Sequence, residues 1–315
     1  MPLSTDAKVL ETSQGLVDTL RAAAGGAPKA FRPAHARGHL LTGTFTPTPT
    51  ALALSKAPHF NNPSTPITVR FSSSTGLPEI PDTDPNANPR GIAIRFHLPL
   101  SSDGRRHHTD IIAHSTKYFP VRTGADFLAF LQAAGGPKDA LPEFLGWHPE
   151  TVRFLQDPKP SPVSFATQRF FGINAFKFVS QDGNEVVVRY RIEPSAGVQT
   201  LTAEETAAKE KNYLFDELSE RLESGPFEFK LLAQVAEEGD VTNDATVLWP
   251  EDRKVVELGA IRVEQTLSEE ESLKEQKQVI FDPIPRVEGV HVSDDPLLDV
   301  RASLYLLSGR QRREA

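Results

Sequence analysis

Apolar residues near the start of the chain, Val9, Leu10, Leu16, Val17 and Leu20, recur at a spacing that winds onto one helical face. Gly25, Gly26, Ala27 and Pro28 then stop the pattern, so residues 5–24 predict an N-terminal amphipathic helix. Beyond it the period shortens to two. HLLTGTF (39–45), PITVRFSS (66–73), RGIAIRFHL (90–98) and TDIIAHS (109–115) alternate apolar with polar residues between Pro, Asn, Asp and Gly clusters, which predicts antiparallel strands. The stretch 124–156 reads as short helices broken by Gly-Gly-Pro and Pro. Strands resume at 184–194, 227–237 and 255–265. One further helix is expected over 203–224, capped by Thr202 and carrying Leu214, Leu218 and Leu222 four residues apart. Residues 281–296 are too proline-rich for regular structure and are expected to wrap the surface, and a last helix begins near Pro296. No internal repeat interrupts this order. The pattern predicts an α+β chain built around a large antiparallel sheet or barrel, with helices in insertions.

Composition narrows the classes of function. At 315 residues and 38% hydrophobic content the chain can bury a substantial core. The formal net charge of −8 argues against a nucleic-acid or anionic-membrane partner, and no apolar run reaches membrane-spanning length. The N-terminal stretch lacks the marks of a signal or transit peptide, which makes the cytoplasm the expected compartment. With no cysteine, thiolate metal sites and thiol nucleophiles are excluded.

Three segments carry candidate chemistry. In FRPAHARG, Arg32 and His35 precede a strand; a lone His in such a place is more often structural than catalytic. In TPITVRFSSS, Arg70 shares a strand face with Thr68 and Ser72 while Ile67, Val69 and Phe71 take the other. If the Arg70 face is the barrel interior, the guanidinium is buried and needs an anionic partner. In RASLYLLSGRQRREA, Arg301 lies one helical turn before Tyr305, and Arg312 returns to that face seven residues later. A solvated basic tail explains the arginines; alternatively, Arg301 favours the Tyr305 phenolate, a hard anionic ligand for ferric iron.

The three segments in this order resemble the monofunctional haem catalases, whose Arg-x-x-His-Ala-x-Gly, Thr-Pro-Ile-x-Val-Arg-Phe-Ser and Arg-x-x-x-Tyr motifs match residues 32–38, 65–72 and 301–305. NPRGIAIRFHL (88–98), TVLWPEDRKVVELGAIRV (246–263) and FDPIPRVEGVHVSDDPLLDVR (281–301) are similar to connecting pieces of the same family, so the likeness spans roughly residues 30–312. The resemblance implies an antiparallel β-barrel with surrounding helices, in one haem-binding domain over 1–315. It also implies haem b with Tyr305 as iron ligand and Arg301 holding the tyrosinate. By the same carry-over, His35 is the distal acid/base that cleaves peroxide toward a ferryl haem, and Ser72 orients it. Arg32, Arg70 and Arg312 grip the propionates, Ala34 lies against the porphyrin, and Phe119 and Phe127 line the haem and channel.

Departures from the family shape the expected activity. His114 stands where catalases carry the Asn that orients peroxide. Ser74 replaces the apolar residue that narrows the catalase channel, which implies a wider entrance. Trp249 persists from the NADPH-binding region of some catalases, but Glu251 replaces its neighbouring His, so no NADPH is expected. The chain ends three residues past Arg312, without the C-terminal helical domain of full catalases. The most similar pattern is that of the small catalase-related peroxidases. That implies a peroxidase reducing organic hydroperoxides, and hydrogen peroxide with weak catalase activity, by means of a small reducing co-substrate. A monomer or homodimer is expected. Two alternatives stand beside it: a fatty-acid hydroperoxide isomerase of the allene oxide synthase type, and a haem-free ligand-binding barrel.

Overall fold

The computed structural model describes residues 2–26, 28–100, 104 and 107–315. Met1, the one sulfur-bearing residue, lies outside them. The strands are β1 (Gly38–Pro47), β2 (Thr65–Ser72), β3 (Gly91–Leu98), β4 (His107–His114) and β5 (Phe170–Phe171). After these come β6 (Phe176–Val179), β7 (Glu185–Pro194), β8 (Phe227–Val235), β9 (Val255–Thr266) and β10 (Val290–Val292). Neighbours follow the order β7-β5-β4-β3-β2-β1-β9-β8, and β8 pairs back onto β7. Among the described residues, eight antiparallel strands therefore close into a barrel, which leaves no free edge around the ring. Strands β6 and β10 extend outward from β7.

The barrel interior is apolar because the period-two pattern sends one set of side chains inward. Val69, Phe71, Ile94, Phe96, Phe170 and Phe229 are buried there in one contiguous core. Aromatic rings fill much of it: Phe71 stacks on Phe165 with centroids 4.9 Å apart, and Phe45 meets Phe96 edge-on at 5.1 Å.

Helix α1 (Ala7–Ala23) starts at Asp6, whose carboxylate accepts the N–H groups of Lys8 and Val9. Small α2 (Pro49–Leu54) and α3 (Pro58–Asn61) follow β1, and α4 (Gly124–Ala134), α5 (Ala140–Trp147) and α6 (Pro149–Gln156) occupy the expected helical insertion. The single helix expected over 203–224 is two: α7 (Ala203–Ala207), held by the Thr202–Glu205 capping box, and α8 (Tyr213–Ser224), which buries Leu214 and Leu218. The break spans Ala208–Asn212, which supplies no residue to the apolar stripe.

Helix α9 (Glu269–Gln278) has no counterpart among the expected elements. Its buried residues are Ser272 and Gln276, so it carries no apolar stripe, although Ser268 and Glu271 form a capping box legible in the sequence. Residues 281–296 do not simply wrap the surface. Phe281, Asp282 and Val287 are buried, and Val290–Val292 pairs with β6. Helix α10 (Pro296–Glu314) begins where expected and packs against α1. Among the described residues, no helix is long and apolar enough to cross a membrane.

Candidate active site

Strands β2, β3 and β4 run side by side, and their register sets residues of the outer face in rungs. Ser72 opposes Gly91, which opposes His114; Arg70, Ala93 and Ile112 form the next rung, and Thr68, Arg95 and Asp110 the one after. This face would meet solvent in an isolated barrel. Here α1, α4, α9 and α10 and the segment before β1 cover it, leaving a cavity of about 240 Å³ between sheet and helices. The polar face of β2 is thus buried outside the barrel, not within it. All the candidate residues from the sequence line this one cavity: Arg32, Ala34, His35, Arg70, Ser72, His114, Phe119, Phe127, Arg301, Tyr305 and Arg312. Ser74, expected at the entrance, is not part of the lining; its carbonyl instead accepts the His35 N–H at 2.8 Å.

His35 reaches the cavity through an uncommon backbone conformation, φ +54°, in the left-handed region where a Cβ is disfavoured. Hydrogen bonds from His35 and Ala36 to the carbonyls of Ser74 and Thr75 hold that turn against the loop after β2. Its Nδ1 lies 3.2 Å from Ser72 Oγ. Across the rung, a Cβ on Gly91 would sit 2.6 Å from Ser72 Oγ and 3.0 Å from His35 Nδ1, so the pair requires glycine there. The loop is braced from behind by fully buried Arg90, which donates to Ser73 Oγ at 2.8 Å and pairs with Asp82 at 3.2 Å. Burial, reinforced by the Arg70 cation, pulls His35 down to about 4, so the ring is neutral at working pH. His114 is pulled down to about 3 by burial and by neighbouring His35 and Arg301.

The cavity floor comes from α10. Arg301 Nη2 donates to Tyr305 Oη at 3.2 Å, and Arg301 Nη1 donates to Asn174 Oδ1. Asn174 Nδ2 donates to Asp295 Oδ2 at 2.7 Å, while Asp295 Oδ1 caps the helix by accepting the Leu297 N–H at 3.0 Å. The first turn of α10 and the orientation of Arg301 are therefore fixed by one chain of groups. Asn174 carried no local sequence signal. Asp295 did, since an Asp before Pro at the first helical position is a helix start.

Three further guanidiniums meet at one end. Arg70 Nε donates to Gln276 Oε1 at 2.6 Å and its Nη2 to the His35 carbonyl at 2.8 Å. Arg32 and Arg312 both donate to the Val279 carbonyl, at 3.2 and 2.8 Å. The partners are neutral: among the described residues, none of the three has a carboxylate within ion-pairing distance, and Arg312 Nε is buried with no partner at all. Burial first, and repulsion from Arg312 second, pull Arg70 down to about 9. Arg32 falls well below its usual value through burial and the nearby Arg70 and Arg312. Cations shielded from water without counter-charges are costly, so this end of the cavity suits an anionic ligand. Gln276, which steadies Arg70, belongs to the unexpected helix α9.

Among the described residues, no cluster of three or more His, Cys, Asp or Glu could hold a metal ion. Among the described residues, the side-chain oxygen on the cavity floor that an iron could use is the Tyr305 phenol beside Arg301. Apolar walls (Leu16, Ile112, Phe119, Phe127, Val300), a phenol on the floor, a carboxylate-ready basic end and two neutral imidazoles opposite together fit a haem with its propionates among the arginines.

A closed antiparallel barrel carrying a largely apolar cavity on its outer face, under a C-terminal helix, defines the class of fold. The family described as Catalase matches residues 30–314. A catalase-related peroxidase of Mycolicibacterium paratuberculosis is 33% identical over 96% of this chain and 95% of its own length. Another, of Synechococcus elongatus, is 29% identical over 88% of this chain and 82% of its own. Among solved structures, a fungal catalase superposes with a TM-score of 0.78 at 21% identity, covering 94% of this chain and 62% of that one. Catalase A from Saccharomyces cerevisiae gives 0.77 at 22% identity, covering 94% and 64%. The chain thus spans less than two thirds of those two structures, which bear on the fold alone. The chain belongs to the catalase family, and as a member it is an oxidoreductase acting on peroxide. Proteins of this family generally bind haem.

Proposed function

We propose that the chain is a haem b peroxidase that reduces organic hydroperoxides, and hydrogen peroxide with weak catalase turnover. One observation carries the reading: three guanidiniums without counter-charges, of which Arg70 and Arg312 are buried, and a Tyr–Arg pair converge on a single apolar cavity that also holds two neutral imidazoles. Tyr305 Oη would hold the iron, with the Arg301 guanidinium donating to it at 3.2 Å. Arg32, Arg70 and Arg312 hold the propionates by charge-assisted hydrogen bonds, which gives the orphaned Arg312 Nε its acceptor. Bound there, haem supplies the redox chemistry that divides the O–O bond.

The protein's own part is positioning and proton transfer. Nδ1 of His35 faces Ser72, so Nε2 is the atom left toward the cavity. With the ring neutral, Nε2 accepts the hydroperoxide O–H proton and returns it to the departing oxygen as the alcohol leaves. Two electrons and two protons from a small external reductant complete each turnover, releasing an alcohol and water. Phe119 and Phe127 exclude water from one side. The similarity to catalase-related peroxidases over nearly the whole chain supports this reading over a full catalase.

The test is a steady-state comparison of hydrogen peroxide, cumene hydroperoxide and a fatty-acid hydroperoxide, with and without a phenolic donor, followed in the Soret region. Donor-dependent reduction of the organic hydroperoxides is expected; consumption that ignores the donor means isomerisation and overturns the proposal. Replacing Tyr305 by Phe is expected to change the ferric ligand bands, and an unchanged spectrum sinks the assignment.

A further inference from the structure

His114 is bonded through one ring nitrogen only. Thr116 Oγ1 lies 2.6 Å from its Nδ1, and the Thr116 backbone N–H points at the same atom from 3.4 Å. A backbone N–H can only donate, so Nδ1 is an acceptor. Among the described residues no protein group uses Nε2, and His114 lines the cavity. A neutral imidazole carries a single ring proton, and with Nδ1 accepting, that proton is on Nε2.

We propose that Thr116 is a positioning residue that holds His114 in the Nε2–H form, giving the cavity one fixed hydrogen-bond donor across Gly91 from the His35 acceptor. The register supports the pairing: His114 opposes Gly91, whose absent side chain leaves room for His35 and Ser72. The two imidazoles are then complementary. His35 Nε2 takes a proton, and His114 Nε2 donates to an oxygen of the bound peroxide as negative charge gathers on it. Thr116 itself is buried, and the Nδ1 bond also stops the His114 ring from flipping. The purpose rests on the peroxidase reading above; the tautomer does not.

The experiment uses protein labelled with 15N-histidine, both free of porphyrin and loaded with gallium(III) protoporphyrin, a diamagnetic stand-in for ferric haem. Long-range 15N–1H NMR reads the tautomer, with His114→Asn assigning the signal. Wild type is expected to show a protonated Nε2 and an unprotonated Nδ1 at His114. Thr116→Val is expected to lose this single pattern to averaging, and Thr116→Ser to keep it. In the haem-loaded enzyme, Thr116→Val is expected to lower kcat/KM for cumene hydroperoxide roughly 10- to 100-fold with the Soret band unmoved, and Thr116→Ser to restore most of it. A protonated Nδ1 in wild type overturns the proposal, as does a Thr116→Val variant with wild-type tautomer and rate. Wild type that shows the Nε2–H form but reduces no hydroperoxide overturns the peroxidase reading and leaves the tautomer assignment standing.

Discussion

Strands β2, β3 and β4 bury both of their faces, for opposite reasons. Inward, Val69, Phe71, Ile94 and Phe96 lose water to one another, and the gain is apolar area. Outward, Arg70, Ser72, Arg95, Asp110 and His114 lose water as well, and each polar atom must find a partner or cost stability. Within that outer face the protein treats two arginines differently. Arg95 is closed by Asp110 in a two-pronged pair at 2.9 and 2.7 Å, so its charge is answered internally. Arg70, one rung away, is given a glutamine and carbonyls, and its charge stays unanswered. The contrast separates a structural buried cation from one that waits for a ligand. A third case lies inside the barrel, where His59 is fully enclosed among Phe45, Phe60 and Phe96 with neither ring nitrogen bonded.

The comparison predicts that damage to the inner face falls on stability and damage to the outer face on chemistry. Phe71→Ala is expected to cost about 3–5 kcal/mol in urea unfolding, with the folded fraction still binding porphyrin. If stability held and porphyrin binding failed, the division between faces would be wrong. His35→Ala is expected to slow hydroperoxide cleavage ~100-fold or more while the Soret band and melting temperature stay near wild type. A variant with most of its activity left would remove His35 from the chemistry.

Acid should separate the two properties in the wild-type protein. His35, His59 and His114 sit at about 4, 3 and 3 in the fold, below the unperturbed value of ~6.5. Between those values the unfolded chain binds protons that the folded chain refuses, so stability falls as pH drops from ~6.5 toward 4 and levels below ~3. The expected loss by pH 4.5 is at least about 2 kcal/mol, read from urea midpoints at several pH values. Turnover, which needs only a neutral His35, should stay flat through the neutral range and fall as pH approaches 4. A rate that falls in step with ordinary histidine titration would show the pocket to be wetter than its geometry implies. The smallest effect is expected at His59. His59→Leu removes two unbonded nitrogens and one of the acid-sensitive groups, so it should raise stability by ~1 kcal/mol at pH 5, flatten the acid slope and leave turnover unchanged.

The strands that carry the site were legible to within a residue or two, because alternation in 66–73, 90–98 and 109–115 is strong and local. The Arg301–Tyr305 contact follows from one helical turn and was legible for the same reason. Helix α9 escaped notice because its buried residues are a serine and a glutamine, and polar helices leave no apolar period. The buried Phe281 and Asp282 were missed on the strength of the surrounding prolines; the Asp282 N–H is in fact tied to Asp110 at 2.6 Å. Gly91 stood in the strand 90–98 without a role, since a glycine's absent side chain matters only once its neighbours across the sheet are known.

By itself the sequence determined the alternating faces of β2 to β4, the turn-by-turn spacing of Arg301, Tyr305 and Arg312, and a motif order that resembles one family. Tertiary structure alone decided which face became the pocket. Periodicity says that Arg70 and Phe71 point opposite ways, but not which way is covered, since both can be buried by residues far along the chain. Here Arg70 is met by Gln276 and by the carbonyls of His35 and Ala36, and Phe71 by Phe165 and Phe229. Local spacing is set by backbone geometry within a few residues. Burial, and with it the neutrality of His35 and the unanswered charge of the arginines, is set by partners as far as 247 residues along the chain, the separation of Arg32 from Val279.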